Sequence, residues 1–212
     1  MKTDDLIDLL ARDTPNPVRP HWRMRLTMTL LAGFAVALVW IGFSIGFRHD
    51  MYGNMLPFLA KTGFSAAAAA LALPLAMRLL APGRPIGWRI VAIGIFLTIC
   101  ALAAVIALMG EAPQQRLHAW FGGGRFPTCL FYIPMFAAPT AVGLLWLARG
   151  LAPTRLTLTG AAIGALAGGV SAVAYSMHCP IDSVSYVTTW YTLAIALCAA
   201  LGAVLGQRLL RW

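Results

Sequence analysis

Charged side chains are scarce in this chain, and carboxylates are the scarcest of them. Of its 212 residues, 11% are charged and 60% are hydrophobic, whereas about 25% charged residues would be ordinary in a soluble domain. Seven residues in all are Asp or Glu, and four of them lie within the first thirteen positions: Asp4, Asp5, Asp8 and Asp13. The composition excludes a soluble globular protein and indicates an integral membrane protein preceded by a short acidic segment.

Ionisable residues are also missing from the middle of the long apolar stretches. Acids or bases at mid-membrane would mark an ion or proton pathway, because they are costly to place there. Lys61 and Arg89 lie at the ends of their stretches, where a long side chain can reach the membrane surface. A small-molecule transporter or channel, which the hydrophobic spans alone would allow, is therefore the alternative rather than the leading interpretation.

Sequence signatures of catalysis and of nucleic-acid binding are absent as well. The glycine run at 122–124 lacks the lysine and hydroxyl of a phosphate-binding loop. No CxxC pair or other metal-ligand spacing occurs, which weakens a membrane thiol oxidoreductase as a third reading. The basic residues form neither a cluster nor an RNA-binding signature. We therefore expect a protein that is not an enzyme, carries no cofactor and does not contact nucleic acid directly.

What remains is a series of apolar stretches of membrane-crossing length. About 20 residues of helix cross the hydrocarbon layer, and backbone groups cannot be left unpaired in lipid. The fold class is therefore all-α, a polytopic six-helix transmembrane bundle with a short cytoplasmic N-terminal amphipathic helix. The sequence divides into residues 1–26 and a membrane domain at 27–212, with spans near 27–47, 58–80, 87–109, 126–148, 156–177 and 187–207.

The basic residues predict the orientation of these spans. Placing the N-terminus in the cytoplasm puts twelve of the sixteen Lys and Arg residues on that side, which agrees with the positive-inside rule. An even number of spans then returns the C-terminus to the same side. We expect a multi-pass protein of the bacterial inner membrane with both termini cytoplasmic.

The segment at 1–26 has the pattern of a short binding helix followed by a proline-rich linker. Thr3 is a suitable N-cap, and the acidic residues after it lie where the helix dipole favours negative charge. Prolines at 15, 17 and 20 favour an extended linker. The apolar residues gather on one helical face and the acids on another, so the predicted partner-binding residues are Asp4, Asp5, Leu6, Ile7, Asp8, Leu9 and Leu10.

Two other readings of the N-terminal segment stay open. It could lie on the bilayer surface, although such helices usually carry Lys and Arg and this one carries acids that an anionic leaflet would repel. It could also be plainly disordered, because about ten residues are too few for a stable isolated helix in water.

Glycines recur every four residues in three spans, and this spacing lets helices approach closely. The repeats are Gly160, Gly164 and Gly168 in the fifth span, Gly202 and Gly206 in the sixth, and Gly42 and Gly46 in the first. Packing within one chain is the simpler use of these glycines. A homo-oligomer interface is the alternative.

The four cysteines divide by location. Cys100 and Cys198 fall inside spans, where they read as small apolar side chains. Cys129 opens the fourth span and Cys179 follows the fifth, so both lie at the outer face, beside His178. Three readings of this pair stay open: a structural disulfide, a pair that responds to oxidants or soft metals with His178 as co-ligand, and unlinked packing cysteines.

Several of these features, taken in order along nearly the whole chain, resemble the NrsF-type membrane anti-sigma factors. They are the run Leu6 to Leu10 with its proline linker, the run from His178 to Ser183, the stretch from Trp190 to Thr192, the position of Cys129 and the Arg-Trp ending. The resemblance implies that the N-terminal segment holds an extracytoplasmic-function (ECF) sigma factor inactive. It also implies that stress sensed at Cys129 and Cys179 relieves that hold.

Overall fold

A computed structural model of the protein describes residue 5 and residues 21–49, 55–81, 87–122 and 127–211. The predicted binding helix therefore lies outside the described residues, except for Asp5, which is helical and exposed. The described helices are α1 (Trp22–Ser44), α2 (Met55–Leu79), α3 (Arg89–Gly110), the short α4 (Arg116–Trp120), α5 (Cys129–Arg149), α6 (Leu156–Ser176), α7 (Val184–Tyr186) and α8 (Thr192–Leu209).

Six of the described segments are long and apolar enough to cross a membrane, which confirms the predicted fold class. They are α1, α2, α3, α5, α6 and the continuous stretch Val184–Leu209, which contains α7 and α8. Between α7 and α8, residues Val187–Tyr191 form a π-helical turn that hydropathy gave no reason to expect. The first span begins at Trp22, earlier than position 27, because Arg23 and Arg25 extend the helix beyond its apolar stretch.

Helix α6 is at the centre of the bundle. Within its apolar window 61% of the residues are buried, against 6% for α3, which lies at the edge. Small residues explain this position, because a Cβ added at Gly164 would collide with the Cys198 carbonyl of α8, and one added at Gly169 would approach the backbone of Ala69 in α2. The fifth- and sixth-span glycines are thus used in packing within the chain.

The glycine repeat predicted for the first span does not act in the same way. Helix α1 ends at Ser44, and Gly46 lies beyond it with a φ of 75° that suits glycine. The close approach between α1 and α5 instead involves Gly33, where an added Cβ would lie 2.8 Å from Cβ of Thr140.

The buried side chains form two clusters, one toward each end of the bundle. We call the end where α1 begins and α8 finishes the termini end, and the end where α1 finishes and α5 begins the cysteine end. Apolar side chains fill the cluster toward the termini end, among them Leu26, Ala76 and Leu144. The other cluster contains Cys129, Cys179 and the tyrosines Tyr175, Tyr186 and Tyr191.

Candidate functional site at the cysteine end

The two outer cysteines lie in one buried cluster although fifty positions separate them in sequence. Cys129 is the first residue of α5, and Cys179 belongs to the loop 177–183 that joins α6 to α7. Their exposed fractions are 0% and 2%. Both are free thiols, so the structure does not contain the disulfide that was one of the three sequence-based readings.

Tyrosine side chains surround these thiols. The Cys129 Sγ lies 3.4 Å from the Tyr186 hydroxyl, and the Cys179 thiol donates a weak hydrogen bond of 3.9 Å to the Ile181 carbonyl. Tyr175 pairs with the hydroxyl of Thr128 at 3.2 Å. Because both sulfurs are buried among these side chains, we expect a group added to either one to displace a neighbour.

A partly buried ion cluster, which we call the clamp, holds the loop that carries Cys179. It consists of Arg48, Lys61 and Asp182. The Asp182 carboxylate accepts hydrogen bonds from both Arg48 terminal nitrogens, at 2.8 and 2.7 Å, and from Lys61 Nζ at 2.8 Å. Two cations from separate elements therefore hold one acid, and the arginine contact is bidentate.

Burial alone would raise the pKa of Asp182. The hydrogen bonds and positive charges of Arg48 and Lys61 outweigh that effect and hold the pKa below its ordinary value. The carboxylate is therefore ionised at neutral pH, and the clamp is a charge-assisted network rather than a neutral hydrogen bond.

Lys61 corrects one prediction from the sequence. It was expected to extend to the membrane surface from the end of its span, but its side chain is 1% exposed. Its Nζ donates to the Cys179 carbonyl at 2.6 Å and to the Ile181 carbonyl at 3.1 Å, in addition to Asp182. All three protons of the ammonium group have acceptors, which is what a buried lysine in a membrane protein requires.

A second set of contacts joins the end of α1 to the same loop. The Arg48 backbone N–H donates to the Met177 carbonyl at 3.0 Å, and His178 Nδ1 lies 2.8 Å from the Gly46 carbonyl. His178 is thus engaged with the main chain of residues 46–48. Among the described residues, no group of three or more His, Cys, Asp or Glu side chains is placed to hold a metal ion.

The π-helical turn places the aromatic residues of the sixth span around the thiols. Tyr186 precedes the turn and Tyr191 is its last residue. The Tyr191 hydroxyl is buried and lies close to the Cys179 thiol. Trp190 packs on Trp120 and donates from its indole nitrogen to the Trp120 carbonyl at 2.8 Å. Such turns are frequent at functional sites.

Sequence reasoning selected Cys129, Cys179 and His178 but missed the clamp and the tyrosines. A usable signal was present, because Lys61 follows six residues of an apolar helix and Asp182 is one of three acids beyond position 13. A buried cation needs an acid, and few were available.

The chain has clear relatives. The family described as NrsF, negative regulator of sigma F, matches residues 10–212. The probable anti-sigma-F factor NrsF of Azospira oryzae is 35% identical over 215 residues, and the anti-sigma-F factor NrsF of Caulobacter vibrioides is 33% identical over 218 residues. Each alignment covers the whole of both chains.

No solved structure matches the chain. The full-length similarity nevertheless confirms the resemblance read from the sequence, and it identifies a regulatory protein rather than an enzyme. This six-span membrane protein belongs to the NrsF family of negative regulators of sigma F.

Proposed function

We propose that the chain is a membrane-bound anti-sigma factor of the bacterial inner membrane. It holds an ECF sigma factor inactive through its cytoplasmic N-terminal segment and releases it when oxidants or soft metal ions act near Cys129 and Cys179. The observation that carries the proposal is the full-length similarity to two proteins named anti-sigma-F factor. The free, buried thiol pair supports the sensing step.

Capture is assigned to the residues at 4–10. Leu6, Ile7, Leu9 and Leu10 would enter an apolar groove of the sigma factor, and the three acids would meet basic residues that otherwise face DNA or polymerase. About ten residues bury less than the roughly 1,200–2,000 Å² of a stable protein interface. Binding through this segment is therefore modest, which makes the hold reversible.

The clamp supplies a route from the thiols to the N-terminal segment. A metal ion or an oxidised group on Cys179 displaces the loop 177–183, whose carbonyls and Asp182 are the ligands of Lys61 and Arg48. Arg48 follows α1, whose 23 residues extend about 34 Å toward the N-terminal segment. A shift of the cysteine end is thereby transmitted along a helix whose start is joined to the binding residues through the proline-rich linker.

Capture is tested by isolating the full chain from membranes and measuring how much sigma factor is retained. The double variant Leu6→Asp with Leu9→Asp is expected to retain little, while its amount in the membrane stays unchanged. Leu31 and Val39 are exposed on α1, so the double variant Leu31→Ala with Val39→Ala is the matched control. It should retain the wild-type amount of sigma factor. Undiminished capture by the double aspartate variant would refute the binding assignment.

Sensing is tested with a reporter under control of the sigma factor. Cys129→Ser with Cys179→Ser is expected to fix the output at one level, independent of cadmium or a mild oxidant. Cys100→Ser provides a control at a buried cysteine outside the cluster. A normal response in the double variant would remove the two thiols from the mechanism.

A further inference from the structure

A cleft opens between α1 and α5 at the termini end, far from the thiols. Its volume is about 800 Å³, and its walls include Trp22, Arg25 and Met28 from α1 and Trp146 and Arg149 from α5. Two arginines and two tryptophans therefore meet at one opening. That combination is typical of the boundary between lipid headgroups and hydrocarbon.

The wall of the cleft that includes Met28, Val142 and Trp146 faces outward from the bundle. Met28 is 55% exposed, Val142 61% and Trp146 81%. In a bilayer such residues contact acyl chains. The cleft is therefore open to lipid along this wall as well as open at the termini end. An occupant must accordingly present an apolar part to α1 and α5 and a polar part to the arginines.

Charge decides which occupant fits. After position 13, the acidic side chains among the described residues are Glu111, which follows the end of α3, and Asp182, which belongs to the cysteine end. In the part of the bundle that the structure describes, no acidic side chain therefore lies beside Arg25 or Arg149. Both arginines are exposed, so an anionic group placed between them is attracted by two positive charges, whereas a zwitterionic headgroup supplies less net attraction.

We infer that this cleft is a binding site for an anionic glycerophospholipid, with the headgroup phosphate between Arg25 and Arg149 and the acyl chains along Met28 and Val142. The site differs from the thiol cluster in place and in chemistry. A bound lipid would join the start of α1 to the end of α5, and α1 is the helix that follows the N-terminal segment in the chain.

The site is tested by native mass spectrometry of the full chain in detergent, with equal amounts of phosphatidylglycerol and phosphatidylcholine of the same acyl chains. Each arginine near an anionic surface contributes a several-fold preference, so two give roughly 10- to 30-fold. Arg25→Gln with Arg149→Gln should reduce that preference to a few-fold. Arg25→Lys with Arg149→Lys should keep most of it, which shows that a loss is due to charge and not to misfolding.

Arg78→Gln with Arg208→Gln is the matched control, because it removes two charges from the same end but outside the cleft. It should leave the preference unchanged. An equal loss in both glutamine pairs would mean general surface charge and would overturn the site. A preference for phosphatidylglycerol that appears only after deletion of residues 1–20 would also overturn the site. In that case the acidic N-terminal segment, and not a lipid, would occupy the cleft of the full chain.

Discussion

The two ends of the bundle are built from different chemistry. At the cysteine end, the apolar side chains are joined by polar and polarisable groups: an ion cluster, three tyrosines, three thiols and backbone carbonyls that serve as ligands. At the termini end the buried cluster consists of Leu, Ala, Ile and one Trp. Hydrogen bonds with defined partners make the cysteine end specific in geometry, whereas the termini end is held by packing that tolerates small shifts. Under the proposed function, the first would detect a chemical change and the second would transmit a changed helix position.

Among the substitutions considered at the two ends, removing the acid of the clamp should lower the free energy of unfolding the most. Asp182→Ala leaves Arg48 and Lys61 buried without their shared partner, and losing one member of a buried ion pair costs about 3–5 kcal/mol. Unfolding of the purified protein by denaturant in mixed micelles measures the loss. Glu111→Ala, an exposed acid beyond α3, is the control and should change stability by less than about 0.5 kcal/mol.

Acid should act on the same end reversibly and more mildly. Because the folded-state pKa of Asp182 is lowered, its stabilisation is complete above the ordinary carboxyl pKa of 3.8 and is lost as the pH falls below that value through the lowered one. Stability measured from pH 7 to pH 3 should therefore fall in the wild type. The part of the fall due to Asp182 should vanish in Asp182→Asn, and an identical pH profile in that variant would contradict the ionised clamp.

A cavity at the termini end should cost less than a broken clamp. Leu144 is 1% exposed, and Leu144→Ala removes packing without leaving a charge unpaired. We expect the free energy of unfolding to fall by about 2–3 kcal/mol. The change should leave the labelling of Cys129 and Cys179 by a water-soluble maleimide as slow as in the wild type. Fast labelling after this substitution would show that the two ends are not separate units.

The smallest effect should come from the tyrosine beside Cys129. Tyr186→Phe removes one hydroxyl at 3.4 Å from the sulfur, which costs about 1 kcal/mol or less. Fluorescence-detected unfolding would measure it, with Tyr132→Phe, a half-buried residue of the same end, for comparison. A loss as large as that of Asp182→Ala would mean that the tyrosines and not the clamp hold the thiol loop.

The sequence predicted the number and nature of the spans because length and hydropathy suffice in a bilayer. It placed Cys129 and Cys179 at one end, and the structure brings them into one cluster. It could not predict that Lys61 bonds Asp182, because 121 positions separate them and Lys61 alone fits a surface-reaching side chain equally well. The π-helical turn was also hidden, since Val187 to Tyr191 has the composition of an ordinary apolar helix. The capture residues remain a prediction from pattern alone.

The glycine contact between α6 and α8 has a consequence for how the molecule can move. Where Gly160 meets Gly202 and Gly164 meets Cys198, main chain touches main chain, and no side chain is present whose rotation would let one helix slide along the other. These two helices therefore behave as one rigid unit. Displacement of α1 or α2 is best measured relative to this rigid unit. Distances between one spin label on α8 and a second on α1 or α2 would report the motion of those helices without ambiguity.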